Sequence, residues 1–235
     1  MLKQNSLYLG DCIDLFEKVE DHTIDLIFLD PPYNLQLNKV LTRPNHSVVN
    51  GVTQDWDKFD NYASYDEFTL SYLRECKRVL KPDGGLWIIG SYHNIFRIGK
   101  ILQDLNFWIL NDVIWAKSNP LPNFRATRLT NAHETLIWCS KKPKSKYQFN
   151  YHTLKVANED KQERSIWNFP ICSGKERIKN KTNQTAHPTQ KPLALMKKII
   201  LQSSIQGDLI LEPFAGTASF CAEGKYLGRK YIGFE

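Results

Sequence analysis

The chain has 235 residues, of which 42% are hydrophobic and 24% charged, the balance of an ordinary soluble globular protein with a sizeable core. It contains no apolar run of about 18 residues, and its start lacks the layout of a signal peptide, so a membrane-spanning or secreted protein is not expected. Its five cysteines form no C-x-x-C pair, which argues against a zinc site or a disulfide framework and predicts buried thiols in a reducing cytoplasm.

Positive charge is concentrated in one segment. The net charge is +6, but 15 basic and 5 acidic residues lie between Lys117 and Lys191, which gives +10 there and −4 elsewhere. Such a distribution favours a polyanionic partner such as nucleic acid, with a solvated basic surface as the alternative.

The first third of the chain predicts a strand, a loop and a helix. The unbroken apolar run at 24–30 indicates a parallel strand covered on both faces. The polar stretch 35–60 has no period and is expected to be a functional or disordered loop. Ser64 and Glu67 form a capping-box pattern that predicts the start of a helix. Its buried face would comprise Phe68, Tyr72, Leu73, Cys76, Val79 and Leu80.

The rest of the chain alternates between predicted strands and helices, which indicates an α/β fold with a doubly wound, mostly parallel sheet. Strands are predicted at 86–92, 107–117, 133–142 and 229–235, helices at 94–106 and 191–204, and a strand, tight turn and helix start at 207–219. The basic segment has weak periodicity and aromatic residues among its lysines and arginines, so it is expected to be an insertion rather than core.

Two strand ends carry unusual residues. The predicted strand at 24–30 stops at D-P-P-Y (30–33), where two prolines, an acid and an aromatic ring indicate either a plain turn or the lip of an active site. The second stretch, 209–220, reads as a strand, a glycine-containing turn and the start of a helix. Glu235 follows Gly216 by 19 residues (235 − 216), the spacing at which an acid holds ribose hydroxyls in nucleotide-binding folds. A nucleoside-type cofactor is therefore expected, without a pyrophosphate motif.

These motifs together resemble a known family. D-P-P-Y, then H-P-T-Q-K-P (187–192), then E-P-F-A-G-T-A-S (212–219), in this order, resemble the permuted β class of amino-methylating DNA methyltransferases. Further segments, including G-D-C-I-D-L-F and N-A-H-E-T-L-I-W, resemble HinfI-type and cell-cycle-regulated adenine methyltransferases, which act on GANTC. The resemblance implies a circularly permuted, three-layer methyltransferase fold that uses S-adenosylmethionine and no metal.

It also implies an organisation of the chain. Residues 1–116 would be the catalytic half, 117–186 an inserted target-recognition region, and 187–235 the cofactor-binding half. The resemblance leads us to expect that this last part is incomplete, because the family fold has a further strand and helix after the ribose acid and GANTC enzymes usually add a small DNA-contacting domain.

The resemblance assigns roles to the catalytic turn. Asp30 and the Pro31 carbonyl would accept the two N–H groups of an adenine amine, Pro32 would stiffen the turn, and Tyr33 would stack on a flipped base. The residues implied at the cofactor are Asp11, Cys12, Asp30, Thr189, Lys191, Phe214, Ala215, Gly216, Thr217, Ala218, Ser219 and Glu235. At Ala218 the family usually has glycine, and the extra methyl group could crowd the helix start against the cofactor.

DNA contacts are expected from three stretches. The loop 35–60 would close over the flipped adenine or wedge into the base stack, 117–128 would meet base edges and phosphates, and 155–181 would follow phosphates. The candidates are Arg43, Asn45, Trp56, Lys117, Asn123, Arg125, Arg128, Lys175 and Arg177. Double-stranded DNA containing the target site is the expected partner of a bacterial, cytoplasmic, DNA-associated enzyme, and a homodimer and a cognate restriction endonuclease remain open. The competing functions are cytosine-N4 methylation and DNA binding by an inactive scaffold.

Overall fold

An eight-stranded sheet in the order β1-β10-β9-β2-β5-β7-β6-β8 forms the centre of the molecule. The computed structural model describes residues 2–35, 41–42, 48–49, 57–123 and 126–235. The strands of the sheet are β1 (Ser6–Tyr8), β2 (Ile24–Leu29), β5 (Leu80–Gly90), β6 (Trp108–Lys117), β7 (His133–Ser140), β8 (Ile166–Phe169), β9 (Leu209–Glu212) and β10 (Lys230–Phe234). A separate antiparallel pair is formed by β3 (Leu41–Thr42) and β4 (Val48–Val49).

Helices cover both faces of this sheet. They are α1 (Cys12–Phe16), α2 (Tyr62–Val79), α3 (Ile95–Asp104), α4 (Tyr151–Ala157), α5 (Leu193–Ser203) and α6 (Ser219–Tyr226). One apolar cluster joins the sheet to α1, α2 and α3, and a second joins its other face to α5 and α6. The predicted three-layer, doubly wound α/β fold is confirmed, and β7 is the one strand of the sheet that runs opposite to the others.

The start of α2 differs from the capping box predicted at Ser64. The helix begins at Tyr62, and its capping residue is Asn61, three residues before Ser64; the Asn61 side-chain oxygen accepts the Ser64 N–H at 2.9 Å. The Ser64 hydroxyl receives the Asn61 N–H in return at 3.4 Å. The box is therefore Asn61 with Ser64, because asparagine caps a helix as well as serine does and lies one turn upstream.

The segment 117–186 is more closely tied to the sheet than an insertion would be. It supplies β7, which lies between β5 and β6, and β8, which pairs with β6. Trp138 of β7 and Trp167 of β8 are buried against Trp87 of β5, with ring centroids 5.3 Å and 5.5 Å away. The expectation that this segment lies outside the core is wrong for these strands, since their tryptophans form part of one face of the core.

The edge beside β10 is occupied from the other end of the chain. Strand β1 pairs in parallel with β10, with Ser6 opposite Ile232, and α1 follows it. The resemblance leads us to expect a further strand and helix beside the ribose acid, and β1 and α1 occupy that position.

The five cysteines are all buried with free thiols. None of the helices among the described residues is long and apolar enough to cross a membrane.

Candidate active site

A cavity of about 500 Å³ opens at the carboxyl ends of β1, β2, β9 and β10. Ligands of open α/β sheets bind at this edge, and the volume lies within the range of small-molecule sites. Because β2 pairs with β9, Asp30 and Glu212 both line this cavity although 182 positions separate them (212 − 30). The cavity is lined by eleven of the predicted cofactor residues: Asp11, Cys12, Asp30, Thr189, Lys191, Phe214, Ala215, Gly216, Thr217, Ser219 and Glu235.

The D-P-P-Y turn forms one wall of this cavity. Asp30, Pro31, Pro32 and Tyr33 all line it. The Pro32 carbonyl accepts a hydrogen bond from the hydroxyl of the buried Tyr65 at 3.0 Å. The turn is therefore fastened to α2, whose helical position directs Tyr65 toward the end of β2.

Asp57 fixes the same turn from its other side. Its carboxylate accepts three consecutive backbone N–H groups: those of Tyr33 at 2.7 Å and Asn34 at 2.8 Å on Oδ1, and that of Leu35 at 2.9 Å on Oδ2. The residue is only 3% exposed. Three N–H groups converging on one carboxyl group hold the backbone that carries Tyr33 in a single conformation.

Four charged side chains meet beside the turn. The Lys191 ammonium lies 2.7 Å from Asp30 Oδ2 and 4.0 Å from Glu134 Oε2. Lys117 donates to Glu134 Oε1 at 2.7 Å, and the Tyr33 hydroxyl donates to Glu134 Oε2 at 2.9 Å. The four charged side chains are between 8% and 16% exposed, so this is a largely desolvated network of zero net charge.

Burial and pairing shift the pKa values of this network in different directions. Burial raises the pKa of Asp30, and Lys191 opposes the shift without cancelling it. Burial alone would raise the pKa of Glu134, but Lys191 and Lys117 bring it below its usual value. Burial alone would lower the pKa of Lys191, but Asp30 and Glu134 bring it above its usual value. Glu134 is therefore ionised and Lys191 protonated at neutral pH.

Tyr33 remains a hydrogen-bond donor under all ordinary conditions. Burial, together with the nearby carboxylates of Asp30 and Glu134, raises the pKa of its phenol well above the usual value. Its ring also faces the Lys191 ammonium, 5.3 Å from the ring centroid. The hydroxyl bond to Glu134 thus orients a ring that lines the cavity.

The opposite end of the cavity is suited to a nucleoside. Glu235 is exposed, and its Oε2 accepts the Gly216 N–H at 2.5 Å. Gly216 has a φ of +54°, and a Cβ there would lie 3.2 Å from the His187 ring, so glycine keeps this wall open. The Phe214 ring packs edge-on against Tyr72 at 5.2 Å, which leaves an aromatic wall beside the carboxylate.

The donor set of this cavity fits S-adenosylmethionine. Glu235 would hold the ribose hydroxyls, and Phe214 would lie against the adenine or the methionine chain. Asp11, which the resemblance places at the adenine, lines the cavity, and its carboxylate also caps α1 by accepting the Ile13 N–H at 2.8 Å. Burial, with a smaller contribution from Asp11, raises the pKa of the Cys12 thiol to about 12, so this cysteine is a neutral wall residue. Among the described residues, no group of three or more metal-ligating side chains is placed to hold an ion.

Glu212, at the end of β9, is a buried acid that lines the cavity and that the sequence analysis did not single out. It is 3% exposed, and its oxygens accept the N–H groups of Phe220 at 3.3 Å and Cys221 at 2.9 Å. Burial raises its pKa to about 8. This carboxyl group therefore ties β9 to the first turn of α6.

Ala218 does not line the cavity, unlike its neighbours. It is 9% exposed and its methyl group packs in a small cluster with Ala215 and Cys221. Its backbone is left-handed, with φ +55° and ψ +37°. The expected crowding of the cofactor by this methyl group is therefore replaced by backbone strain at the start of α6.

The predicted DNA-contacting residues are only partly described. Arg43, Asn45, Trp56 and Arg125 lie outside the described residues. Lys117 forms an ion pair with Glu134 and its side chain is 12% exposed, so its ammonium is already bound within the protein; that it contacts DNA stays a prediction.

The other described candidates differ in solvent exposure and in their hydrogen bonds. Arg128 and Lys175 are exposed. Asn123 donates to the Arg128 carbonyl at 3.0 Å, and Arg177 donates to the Pro188 carbonyl at 2.7 Å. Arg128 and Lys175 are thus the described candidates with exposed side chains.

Two functional residues escaped the sequence analysis for different reasons. Glu134 lies at the start of a predicted strand, but the sequence does not show that this strand is antiparallel, so it gives no signal that Glu134 belongs to the site. Asp57 lies in the polar stretch 35–60 together with Asp55 and Asp60, and nothing in the sequence separates these acids.

Known proteins share both the sequence and the fold. The pattern of the N6/N4 DNA methylase family matches residues 24–235. The chain is 52% identical to the Type II methyltransferase M.HinfI of Haemophilus influenzae, over 98% of the chain and 64% of that protein. It is 42% identical to the Type II methyltransferase M2.MboI of Moraxella bovis, over 99% of the chain and 83% of that protein.

A solved structure of another protein has the same fold. The complex of M1.HpyAVI with S-adenosylmethionine, 26% identical, superimposes with a TM-score of 0.68 over 98% of the chain and 92% of that chain. The chain thus spans slightly less than two thirds of M.HinfI and most of the other two proteins. A match over nearly the whole length of the chain places it in a single family: it is a member of the N6/N4 DNA methylases, which are S-adenosylmethionine-dependent methyltransferases.

Proposed function

We propose that the protein transfers a methyl group from S-adenosylmethionine to the N6 atom of adenine in DNA, within GANTC. The observation that carries this proposal is that Asp30, Tyr33, Gly216 and Glu235 line one cavity. Asp30 would accept the N–H groups of the amine, and Gly216 and Glu235 would bind the nucleoside of the cofactor, in one cavity that holds both molecules.

Asp30 would act by positioning the amine rather than by forming a covalent bond. The lone pair of the adenine amine is delocalised into the ring, so it must be localised and aimed before it can attack. When bound, S-adenosylmethionine supplies an electrophilic methyl group whose bond to the sulfonium sulfur breaks as the N–C bond forms, the electron pair staying on sulfur. Asp30 and the Pro31 carbonyl would each accept one N–H and so hold the nitrogen in line. One proton then leaves the methylated nitrogen to solvent.

Tyr33 would provide the platform for the base. The target nitrogen is inaccessible in a stacked duplex, so the adenine must be flipped out of the helix. The hydroxyl bond to Glu134 and the Asp57 contact to its N–H fix Tyr33 at both ends. A ring held in this way offers a preformed stacking face at the mouth of the D-P-P-Y turn.

Adenine is favoured over cytosine by the first residue of the motif. Cytosine-N4 enzymes more typically have serine where this chain has Asp30, and the further segments resemble the GANTC adenine enzymes. Arg128 and Lys175, together with the predicted residues 43, 45, 56 and 125, would contact double-stranded DNA. A homodimer and a cognate restriction endonuclease are further partners compatible with a palindromic target.

Labelled methyl transfer to two duplexes tests the proposal. The intact protein should methylate a duplex containing one GANTC site and leave a matched duplex with a scrambled site unlabelled. Asp30→Ala should reduce turnover by about three orders of magnitude, because it removes an acceptor made for the transition state. Binding of S-adenosylmethionine and DNA should remain within a few-fold of wild type. A variant with a near-normal rate would show that Asp30 does not have this role.

A further inference from the structure

Four alternating charges connect the start of the recognition segment to the catalytic carboxylate. The order is Lys117, Glu134, Lys191 and Asp30, with successive N–O separations of 2.7, 4.0 and 2.7 Å. The two outer contacts have hydrogen-bond length, and the central one does not. The row is therefore two tight ion pairs joined by a looser contact.

The topology of the sheet brings these residues together. Lys117 ends β6, Glu134 lies near the start of the antiparallel β7, and Asp30 follows β2, so all three lie at the carboxyl edge. Lys191 directly precedes Pro192, the N-capping residue of α5. The row thus joins both ends of the 117–191 segment to the D-P-P-Y turn.

The resting arrangement poses a problem for catalysis. Lys191 occupies Asp30 Oδ2 at 2.7 Å, so an amine entering the cavity must share this carboxylate with an ammonium group. The methylated nitrogen also carries a positive charge until it loses a proton, and a second cation on the same carboxylate would oppose that charge. The reaction is therefore favoured when Lys191 is farther from Asp30.

We infer that Lys191 moves its ion pair from Asp30 to Glu134 when the target amino group binds, so that Glu134 is a positioning residue acting through Lys191. This inference rests on the proposed amine methylation. No proton moves in the exchange: Lys191 stays an ammonium, Glu134 replaces Asp30 as its partner, and the amine takes the place of Lys191 on Asp30.

The geometry makes this exchange a small movement. Lys191 needs to approach Glu134 Oε2 by little more than 1 Å from its present 4.0 Å to reach hydrogen-bond length. Its four-carbon stem and three donors allow this without backbone change. Glu134 is ionised and already oriented by Lys117 and the Tyr33 hydroxyl, so it is a preformed second acceptor.

A static network is the alternative, in which Glu134 only neutralises two lysines. The two readings differ in how Glu134→Gln affects recognition of the amino group. We would measure kcat, the KM for DNA, and binding of two duplexes in the presence of S-adenosylhomocysteine, which prevents turnover. One duplex carries adenine at the target position, and the other carries purine, which lacks only the amino group.

If Lys191 changes its partner from Asp30 to Glu134, the Glu134→Gln variant has a kcat about 10- to 100-fold lower. Removing a nearby opposite charge shifts an ionic equilibrium by one to two orders of magnitude. The KM for DNA stays within about 3-fold, and the preference for adenine over purine falls by at least about 5-fold. Glu134→Asp, which keeps the charge, recovers part of both. Glu75→Gln removes a partner of an ion pair outside the cavity, Glu75–Arg78 at 2.6 Å, which is more exposed than the Glu134 network, and should change neither.

Several results would overturn the inference while leaving the proposed function intact. One is a Glu134→Gln variant with wild-type kcat and undiminished preference for adenine. Another is a loss of adenine and purine binding by the same factor. If Glu134→Gln does not fold, the double variant Glu134→Gln with Lys117→Gln removes one charge of each sign. It should fold and show the same loss of preference, and wild-type preference in that variant contradicts the exchange. A wild-type protein that methylates no DNA would instead refute the proposed function.

Discussion

Replacing Asp57 by asparagine tests whether one carboxylate holds the catalytic turn. In the structure Oδ1 accepts the N–H groups of Tyr33 and Asn34, and Oδ2 accepts that of Leu35. An asparagine oxygen could retain the first two bonds as weaker neutral ones. Its NH₂ group would then face the Leu35 N–H, donor against donor, at a site only 3% exposed at present.

The cost follows from these contacts. A hydrogen bond to a charged group contributes about 1.5–3 kcal/mol, and its loss leaves the Leu35 N–H without an acceptor. Weakening the other two bonds adds roughly 1 kcal/mol, so Asp57→Asn should lower the free energy of unfolding by about 3 kcal/mol. A shift of the turn by about 1 Å would lower kcat by roughly 100-fold.

Chemical denaturation and steady-state methylation measure these two effects, with Asp60→Asn as the control. Asp60 is exposed and three residues away, so its substitution should change both values little. The reasoning is refuted if Asp57→Asn unfolds at the same denaturant concentration as wild type and keeps kcat within twofold.

The remaining predictions concern the cofactor strand and its turn. The Glu212 pKa is raised from 4.5 to about 8, so the native state binds a proton that the unfolded state releases. The free energy of unfolding should therefore fall as pH rises from about 4.5 to 8, by up to roughly 5 kcal/mol, and denaturation of Glu212→Gln should show a flatter pH dependence. Ala218→Gly should raise the free energy of unfolding by about 0.5–1 kcal/mol, because it relieves a left-handed alanine at φ +55° while adding unfolded-state entropy. A lower thermal midpoint for this variant would contradict that expectation.

Features specified by short, continuous stretches could be predicted from the sequence. The apolar runs that become β2 and β9 are buried strands. Their carboxyl ends carry D-P-P-Y and the glycine turn, and Asp30 and Gly216 line one cavity, where their roles stay predictions. The spacing of Glu235 from Gly216 predicts an acid for ribose hydroxyls, and in the structure the two residues are in contact at the end of β10.

Features that depend on pairing between distant residues could not be predicted. Glu134 becomes a site residue because β7 enters the sheet antiparallel beside β5, which puts it 2.9 Å from the Tyr33 hydroxyl 101 residues away. Lys117 was expected to contact DNA because it lies in a basic segment, and the sequence does not show that it pairs with Glu134. The correct helix cap at Asn61 was missed since two capping patterns overlap and only geometry selects one.

Identification of the methylated nucleoside tests the central claim most directly. The intact protein would be incubated with methyl-labelled S-adenosylmethionine and a duplex containing one GANTC site, and the DNA digested to nucleosides and separated. We expect the label in N6-methyl-2′-deoxyadenosine and no label in DNA treated with the Asp30→Ala variant. Label in N4-methylcytosine, or no label in DNA from a folded, cofactor-binding protein, would contradict it.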